Sequence, residues 1–333
     1  MSQTGKYGRP VLAVDLGGTK IMTALVSTNG RVLVQERRFT LADEGPEAVI
    51  DRLLAALDDI LKRENIVPNQ LGGISIAAAG AVDLKRGLIT SSPNLPGWHD
   101  VPLREMVHKK CGVNTYLLND ASAAALGEHR FGVGKEVKNL VLLTVGTGIG
   151  GGIIINDRLY QGSSGIAGEI GHMTIDVNGA DCTCGHTGCL ETFVSGPAVA
   201  DKARRRIELG EKSSLVELVG GKVAEITTEE VGTAARGGDA LAQSVIAEAG
   251  AYLGVGLKNV VNSFNPDMVI IGGSVARLGD LLLDPARQVV KETAFRLAAR
   301  AVRIVLARLD DGAGVIGAAV FAMERRGQRS RPC

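Results

Sequence analysis

The sequence predicts an α/β protein of two lobes sharing a central cleft, and three observations carry that expectation. Short apolar runs of strand character alternate with amphipathic helical patterns. A unit of strand, glycine turn and strand occurs twice, first around Asp15-Leu16-Gly17-Gly18-Thr19 and again around Gly146-Thr147-Gly148-Ile149-Gly150-Gly151. No stretch rich in Pro or Ser divides the chain into independent domains. At 333 residues, 45% of them hydrophobic, the chain can bury a core large enough for two lobes. Glycine is abundant at 44 residues while aromatics are only 3%, so the core is expected to be Val, Ile, Leu and Ala, with tight turns and close backbone approaches.

The elements follow in order. Val11 to Val14, Ile21 to Val26 and Arg31 to Arg38 read as three strands around turns at the glycines. Pro46 to Arg63 repeats apolar residues at Val49, Leu53, Leu54, Leu57, Ile60 and Leu61, near the 3.6-residue period of an amphipathic helix. Gly73 to Ala77 is a buried strand, followed to Asp100 by a loop rich in Gly, Pro and Asn. Pro102 to Cys111 is a helix, Thr115 to Leu118 a strand and Ala121 to Phe131 a helix, with Asn119-Asp120 at the junction. Leu140 to Val145 and Gly152 to Ile155 form the second strand pair. Beyond Pro197 helices dominate, notably Asp239 to Asn262, interrupted by strands at Met268 to Ile271 and Val302 to Leu306. A helix is expected over 314–325 and a disordered tail from Gly327. The expected lobes are residues 1–120, completed by the C-terminal helix to residue 326, and a larger lobe over 121–313.

Charge and composition exclude several classes. Lys and Arg number 37 against 36 Asp and Glu, a net charge of +1, so no bulk positive charge favours nucleic acid or acidic membranes. No run of about 18 apolar residues spans a bilayer, and the first ten residues lack a signal-peptide core, so a cytoplasmic location is expected. Five cysteines, three of them between 182 and 189, do not resemble a secreted disulfide framework.

Backbone N–H groups in a glycine turn converge on phosphate oxygens, and a nearby carboxylate anchors the Mg2+ that accompanies a nucleoside triphosphate. Asp15 to Lys20 supplies both; the plainer alternative is a hairpin that needs glycine. Gly146 to Gly151 matches the spacing of a dinucleotide fingerprint, with Glu169 at a distance suited to ribose. That motif requires a helix directly after the glycines, whereas Gly152 to Ile155 continues as a strand. No Walker A motif is present. Two glycine hairpins therefore read as two phosphate loops.

Cys182, Cys184 and Cys189 bring three thiols together, and one imidazole would complete a closed tetrahedral zinc site of structural type. His172 and His186 both compete for the fourth position. Cys111 and Cys333 stand apart. Nearby polar residues Glu169 and Glu191, with Asn119 and Asp120 further back, suit the holding of hydroxyl groups. Asp120 is the candidate general base, against the alternative that Asn119-Asp120 merely caps a helix.

Taken together, DLGGTK at Asp15, NLPGW at Asn94, NDA at Asn119, GTGIGGG at Gly146, GEIGH ending at His172, CTCGHTGCLE from Cys182 and IIGGSV at Ile270 resemble the ROK family of repressors and sugar kinases. The resemblance covers nearly the whole chain and implies the actin-like ATPase (ribonuclease H-like) fold with a zinc-binding loop. It implies that Asp15, Gly17, Gly18, Thr19 and Lys20 form the first phosphate loop, Thr147 and Gly148 the second, and that Gly272-Gly273 approaches the adenosine. It implies a sugar held by Gly80, Asn94, Asn119, Asp120, Glu169, His172 and Glu191, with Asp120 as base. It also favours His172 over His186 as the fourth zinc ligand.

The implied cofactors are ATP, Mg2+ and structural Zn2+; the implied assembly is a homodimer or homotetramer. Family repressors carry an N-terminal helix-turn-helix, and only about ten residues precede Val11, so DNA binding is not expected. NLPGW and GEIGHM look most like bacterial ATP-dependent glucokinases, and Ala81 beside Gly80 offers no charge to a substituted sugar. Fructose, N-acetylmannosamine and N-acetylglucosamine kinases share these motifs. A non-catalytic sugar sensor and an NAD-dependent oxidoreductase are the rival readings.

Overall fold

The computed structural model describes residues 8–329. Its strands are β1 (Val11–Leu16), β2 (Lys20–Val26), β3 (Val32–Phe39), β4 (Gly73–Ala78), β5 (Ala81–Asp83), β6 (Leu88–Ser91), β7 (His99–Val101), β8 (Thr115–Asn119), β9 (Leu140–Val145), β10 (Ile149–Ile155), β11 (Arg158–Tyr160), β12 (Met268–Gly272) and β13 (Arg303–Leu306). The helices are α1 (Pro46–Arg63), α2 (Leu103–Cys111), α3 (Asp120–Phe131), α4 (Glu191–Val194), α5 (Gly196–Glu208), α6 (Leu215–Leu218), α7 (Thr228–Arg236), α8 (Ala240–Phe264), α9 (Asp280–Thr293), α10 (Arg296–Ala301) and α11 (Ala313–Arg329). The described residues fall into two compact units. The first holds everything up to Glu136, Gly152–Gly168 and everything from Arg308; the second holds Val137–Gly151 and Glu169–Ala307.

In the first unit the sheet order is β3-β2-β1-β4-β8. The hairpins β1–β2 and β2–β3 are antiparallel, while β1, β4 and β8 run parallel, with Leu16 opposite Ala78 and Ala78 opposite Asn119. Parallel strands in register end together, so the turn after β1, the residues after β4 and the start of α3 share one edge of the sheet, the usual ligand edge of an α/β sheet. On one face Leu12, Val14, Leu16, Ile74 and Ile76 pack with Val49, Leu53, Leu57 and Ile60 of α1. Ala13, Ser75 and Ala77 alternate with these residues and so point to the other face. Their small size admits α11, which lies on β1 and β4.

Helices α3 and α11 cross at backbone distance, and glycine is the reason. A Cβ at Gly317 would overlap the carbonyl oxygen of Ala123, and one at Gly127 would lie 2.5 Å from the carbonyl oxygen of Ala313. This crossing moves the expected boundary: α3 belongs to the first unit, and the division falls after Glu136 rather than at residue 120. Proximity in sequence to the second unit concealed its packing partner, nearly two hundred residues away.

In the second unit β9, β12 and β13 form a parallel ladder, with Leu142 opposite Ile270 and Ile270 opposite Val305. Helix α8 starts where the Asp239 side chain accepts the Ala242 N–H at 2.8 Å, an N-cap that satisfies one of the first-turn donors. It is the one described helix long and apolar enough to cross a membrane, but 56% of its apolar window is buried inside the protein, against α5, α7 and α9. Strand β10 begins in the second unit and ends in the first, where it pairs with β11 from Ile153–Tyr160 to Ile155–Arg158.

Two further expectations change. The segment between β4 and Asp100 is not all loop, since β5, β6 and β7 form a small antiparallel sheet there; strands of three or four residues leave too short an alternation to read. Helix α11 continues to Arg329, through the start of the segment expected to be a disordered tail, and residues 330–333, Cys333 among them, lie outside the described residues. Gly317→Ala is expected to destabilise the fold by about 3 kcal/mol because neither backbone can retreat. Gly327→Ala, with nothing within 4 Å of the added methyl, should stabilise by up to about 1 kcal/mol through helix propensity. Urea unfolding of the pair measures the contrast.

Candidate active site and metal cluster

The first unit carries one set of predicted groups. In the turn after β1, the Gly17 N–H donates to the Lys20 carbonyl at 3.0 Å, and a Cβ at Gly18 would lie 2.5 Å from the Asn94 carbonyl oxygen. Asn94 thus covers the first glycine turn, which explains glycine at 18 by space alone. Asn119 ends β8 and caps α3: its side-chain oxygen accepts the Ser122 N–H at 3.0 Å, and its amide donates to the Gly80 carbonyl at 3.2 Å. Gly80 has φ +106 and no room for a Cβ beside Ser91 and Ser92. Asp120 is the first residue of α3, one oxygen accepting the Ala121 N–H at 2.8 Å. Capping and a chemical role are compatible, because Asn119 supplies the cap.

Asp15 sits against the first turn of α11, where a Cβ at Gly314 would overlap its carboxylate. Burial, then the nearby Asp120, pushes the Asp15 carboxyl up to about 7, with Lys20 opposing and Asp311 reinforcing. Lys20 Nζ donates to Asp311 Oδ2 at 2.6 Å. Clustered carboxylates beside a glycine turn are the kind of oxygen donors a hard divalent cation takes, so the residues fit Mg2+ with ATP.

The turn Gly146–Gly151 belongs to the second unit. The Ile149 N–H donates to Glu191 Oε2 at 2.7 Å, and a Cβ at Gly148 would lie 2.6 Å from that oxygen. Thr147 sits between Gly146 and Gly148 in this turn, the Gly146 N–H donating to the Gly148 carbonyl at 2.9 Å. Gly272 pairs with Thr144, and Gly273, at φ +90, leaves no room for a Cβ beside the Val145 carbonyl. The expected adenosine loop is therefore beside the second glycine turn. Glu169 precedes a short 3-10 turn, Ile170–His172; its carboxyl is pushed up by burial and by Glu191, against the opposing pull of His172.

His172, Cys182, Cys184 and Cys189 place their ligand atoms within 4.8 Å of one another. Cys182 Sγ is 3.6 Å from His172 Nδ1, and Cys184 Sγ is 3.6 Å from Cys189 Sγ. Ligand atoms about 2.0–2.3 Å from one tetrahedral ion are separated by roughly 3.5–3.8 Å, so the set fits zinc. Burial, followed by the neighbouring thiols, pushes Cys189 up to about 12, a penalty on the thiolate that a cation would offset. His186 Nδ1 lies 3.4 Å from Cys184 Sγ but is outside the set. The knuckle is shaped by Gly188, at φ +69, where a Cβ would overlap the Asp176 carbonyl.

Three groups went unread in the sequence. Glu128 of α3 is wholly buried, and its carboxylate accepts the N–H groups of Arg308 at 2.7 Å, Leu309 at 2.6 Å and Val133 at 2.8 Å. Asp311 pairs with Lys20, and Gly314 makes room for Asp15. The only available signal was the spacing of Gly314 and Gly317 within a helical pattern.

Fold and site together define an α/β protein with two glycine turns, a carboxylate pair and a His/Cys3 set whose spacing fits a metal ion. The ROK family profile matches residues 11–325, and the chain belongs to the ROK family, with its actin-like ATPase fold. It is 36% identical over 320 residues to a glucokinase of Thermotoga maritima, covering 95% of this chain and 98% of that one. It is 34% identical to a xylose repressor of Caldicellulosiruptor bescii, covering 95% of this chain and 78% of the repressor. The structure of a ROK glucokinase from Streptomyces griseus in complex with glucose and AMPPNP superposes with a TM-score of 0.83 at 34% identity, covering 95% and 99% of the two chains.

The raised Asp15 carboxyl has a stability consequence. The folded state holds a proton that the unfolded chain releases between its ordinary 3.8 and about 7, so stability is lost as pH rises through that window. Asp15→Asn is expected to melt above the wild type at pH 8 in metal-free buffer, with the advantage shrinking as pH falls towards 4. Differential scanning calorimetry across that range checks it.

Proposed function

We infer that this chain transfers the γ-phosphoryl group of ATP to the 6-hydroxyl of D-glucose. Support comes first from the pairing of Asp120 with Asp15, close enough for one charge to disfavour the other, and then from glucokinase relatives spanning nearly the whole chain.

Each residue then takes a task. Asn119, Gly80, Asn94, Glu169, His172 and Glu191 hold the sugar hydroxyls. Asp120 accepts the proton of the 6-hydroxyl as that oxygen forms its bond to phosphorus and the bond to the ADP oxygen breaks. Asp15 would hold Mg2+, which when bound would supply charge to neutralise the phosphates. Gly17, Gly18 and Thr19 offer the first set of phosphate contacts, with Lys20 beside them, and Thr147 and Gly148 the second. Most of the rate would come from positioning and charge stabilisation, with proton removal contributing about 10²–10⁴-fold. Asp120→Asn should therefore lower kcat by at least about 100-fold while glucose binding and zinc content persist; near wild-type turnover would remove Asp120 from the base role.

Zinc fits His172, Cys182, Cys184 and Cys189, and when bound it would supply a rigid tetrahedral tie. The Cys189 thiol approaches the His172 carbonyl at 3.4 Å; Glu169 lies three residues before His172 and Glu191 two after Cys189. We expect about one zinc per chain by elemental analysis, and zinc removal should weaken glucose binding more than nucleotide binding on calorimetric titration. A cytoplasmic location and a homodimer or homotetramer belong to the same reading.

A sugar-sensing role is the second reading, favoured by the repressors at 34% identity. A coupled assay with ATP, Mg2+ and a panel including glucose, fructose, N-acetylmannosamine, N-acetylglucosamine and xylose separates the two: sugar binding without turnover identifies a sensor.

A further inference from the structure

The first unit contains a cavity of about 930 Å3 lined by none of the groups discussed so far. It lies along the outer strand β8 at Thr115–Leu117, between the β5–β6 turn and the loop Gln161–Gly165, with Phe321 and Arg325 of α11. Its charge is one-sided. Lys85, Arg86, Arg104 and Arg325 line it, and Glu105 is the carboxylate among the lining residues.

These cations are not held by carboxylates in the way that six arginines elsewhere are. Arg38, Arg52, Arg130, Arg204, Arg206 and Arg287 each pair with an Asp or Glu. The Arg104 guanidinium instead donates to the carbonyls of Leu84 at 2.9 Å and Lys85 at 3.0 Å. Arg325 donates to the Gln161 amide oxygen at 3.2 Å and stacks 5.0 Å above the Phe321 ring. Among the described residues neither meets a carboxylate, and Lys85 and Arg86 form no ion pair. In a chain of net charge +1 this concentrates positive potential in one concave place. The arrangement is built in, because Gly87, at φ +75, leaves no room for a Cβ beside Arg104.

Size and polarity narrow the ligand. The volume falls in the range of small-molecule sites, roughly 300–1,000 Å3, so a bare phosphate would leave most of it unfilled. Ser163, Ser164 and Asn114 also line it and provide hydroxyl and amide groups suited to a polyhydroxylated body.

We propose that this cavity is a second ligand site, for a phosphorylated sugar, with Lys85, Arg86 and Arg325 on the phosphate and Ser163 and Ser164 on the sugar hydroxyls. It goes beyond the kinase reading and stands on the first unit alone. Strand β5 starts directly after Gly80, whose carbonyl accepts the Asn119 amide at 3.2 Å, so an occupant braced on the β5–β6 turn bears on a group assigned to glucose.

The test is calorimetric. Glucose and the ATP analogue AMPPNP with Mg2+ are first titrated into the full-length protein; failure at this step counts against the kinase reading alone, and the remaining titrations then proceed without them. With both bound, glucose 6-phosphate is expected to bind as about one further equivalent. The Lys85→Ala/Arg86→Ala double variant should bind it at least about tenfold more weakly, with kcat and glucose KM, measured without sugar phosphate, unchanged. Absence of saturable binding, or equal affinity in the variant, overturns the site. Inorganic phosphate binding as tightly as glucose 6-phosphate overturns the assignment of a sugar phosphate.

Discussion

The carboxylate of Glu128 fixes the geometry on which the first unit depends. It is fully buried, and three backbone N–H groups replace the water it gives up, which is the condition for keeping such a group inside a protein. Two of those donors belong to the segment leading into α11. Together with the glycine crossing of α3 and α11, they set where both helices begin. Asp120 opens α3, and Asp15 rests on the first turn of α11. A side chain of the same helix as Asp120 thus bears on the relation between the Asp15 and Asp120 carboxylates.

That relation creates an electrostatic tension. Burial and Asp120 raise Asp15 while Lys20, itself shared with Asp311, lowers it. Perturbed carboxylates of this kind cluster at functional sites. Glu191 follows a similar logic in the second unit. One of its oxygens is committed to the Ile149 N–H of the Gly146–Gly151 turn, and its position two residues after Cys189 ties that turn to the His/Cys3 set. The Gly146–Gly151 turn and the His/Cys3 set are therefore mechanically linked within a single unit.

Glycine does two different jobs in this architecture. At Gly80, Gly188 and Gly273 the backbone has positive φ beside a carbonyl that excludes any Cβ. At Gly127, Gly314 and Gly317 the helix is ordinary and glycine serves close approach. The high glycine count and low aromatic content reflect close backbone approaches beside a core of mainly aliphatic side chains.

The sequence by itself determined whatever is local. Turn chemistry at Asp15–Thr19 and Gly146–Gly151, the helical period of Pro46–Arg63 and the spacing of the three cysteines are set by contacts within a few residues. Their reading carried the fold class, the two glycine turns and the gathering of the three thiols. Only the tertiary structure decided what depends on chain returning from far away: Asn94 covering Gly18, α3 joining the first unit, Lys20 engaged by Asp311, and Glu128 bound to residues 308 and 309. The reason is physical. A turn or an amphipathic period is imprinted on neighbouring residues, whereas a buried carboxylate's donors and a glycine's close contact are chosen by packing, which no local pattern records.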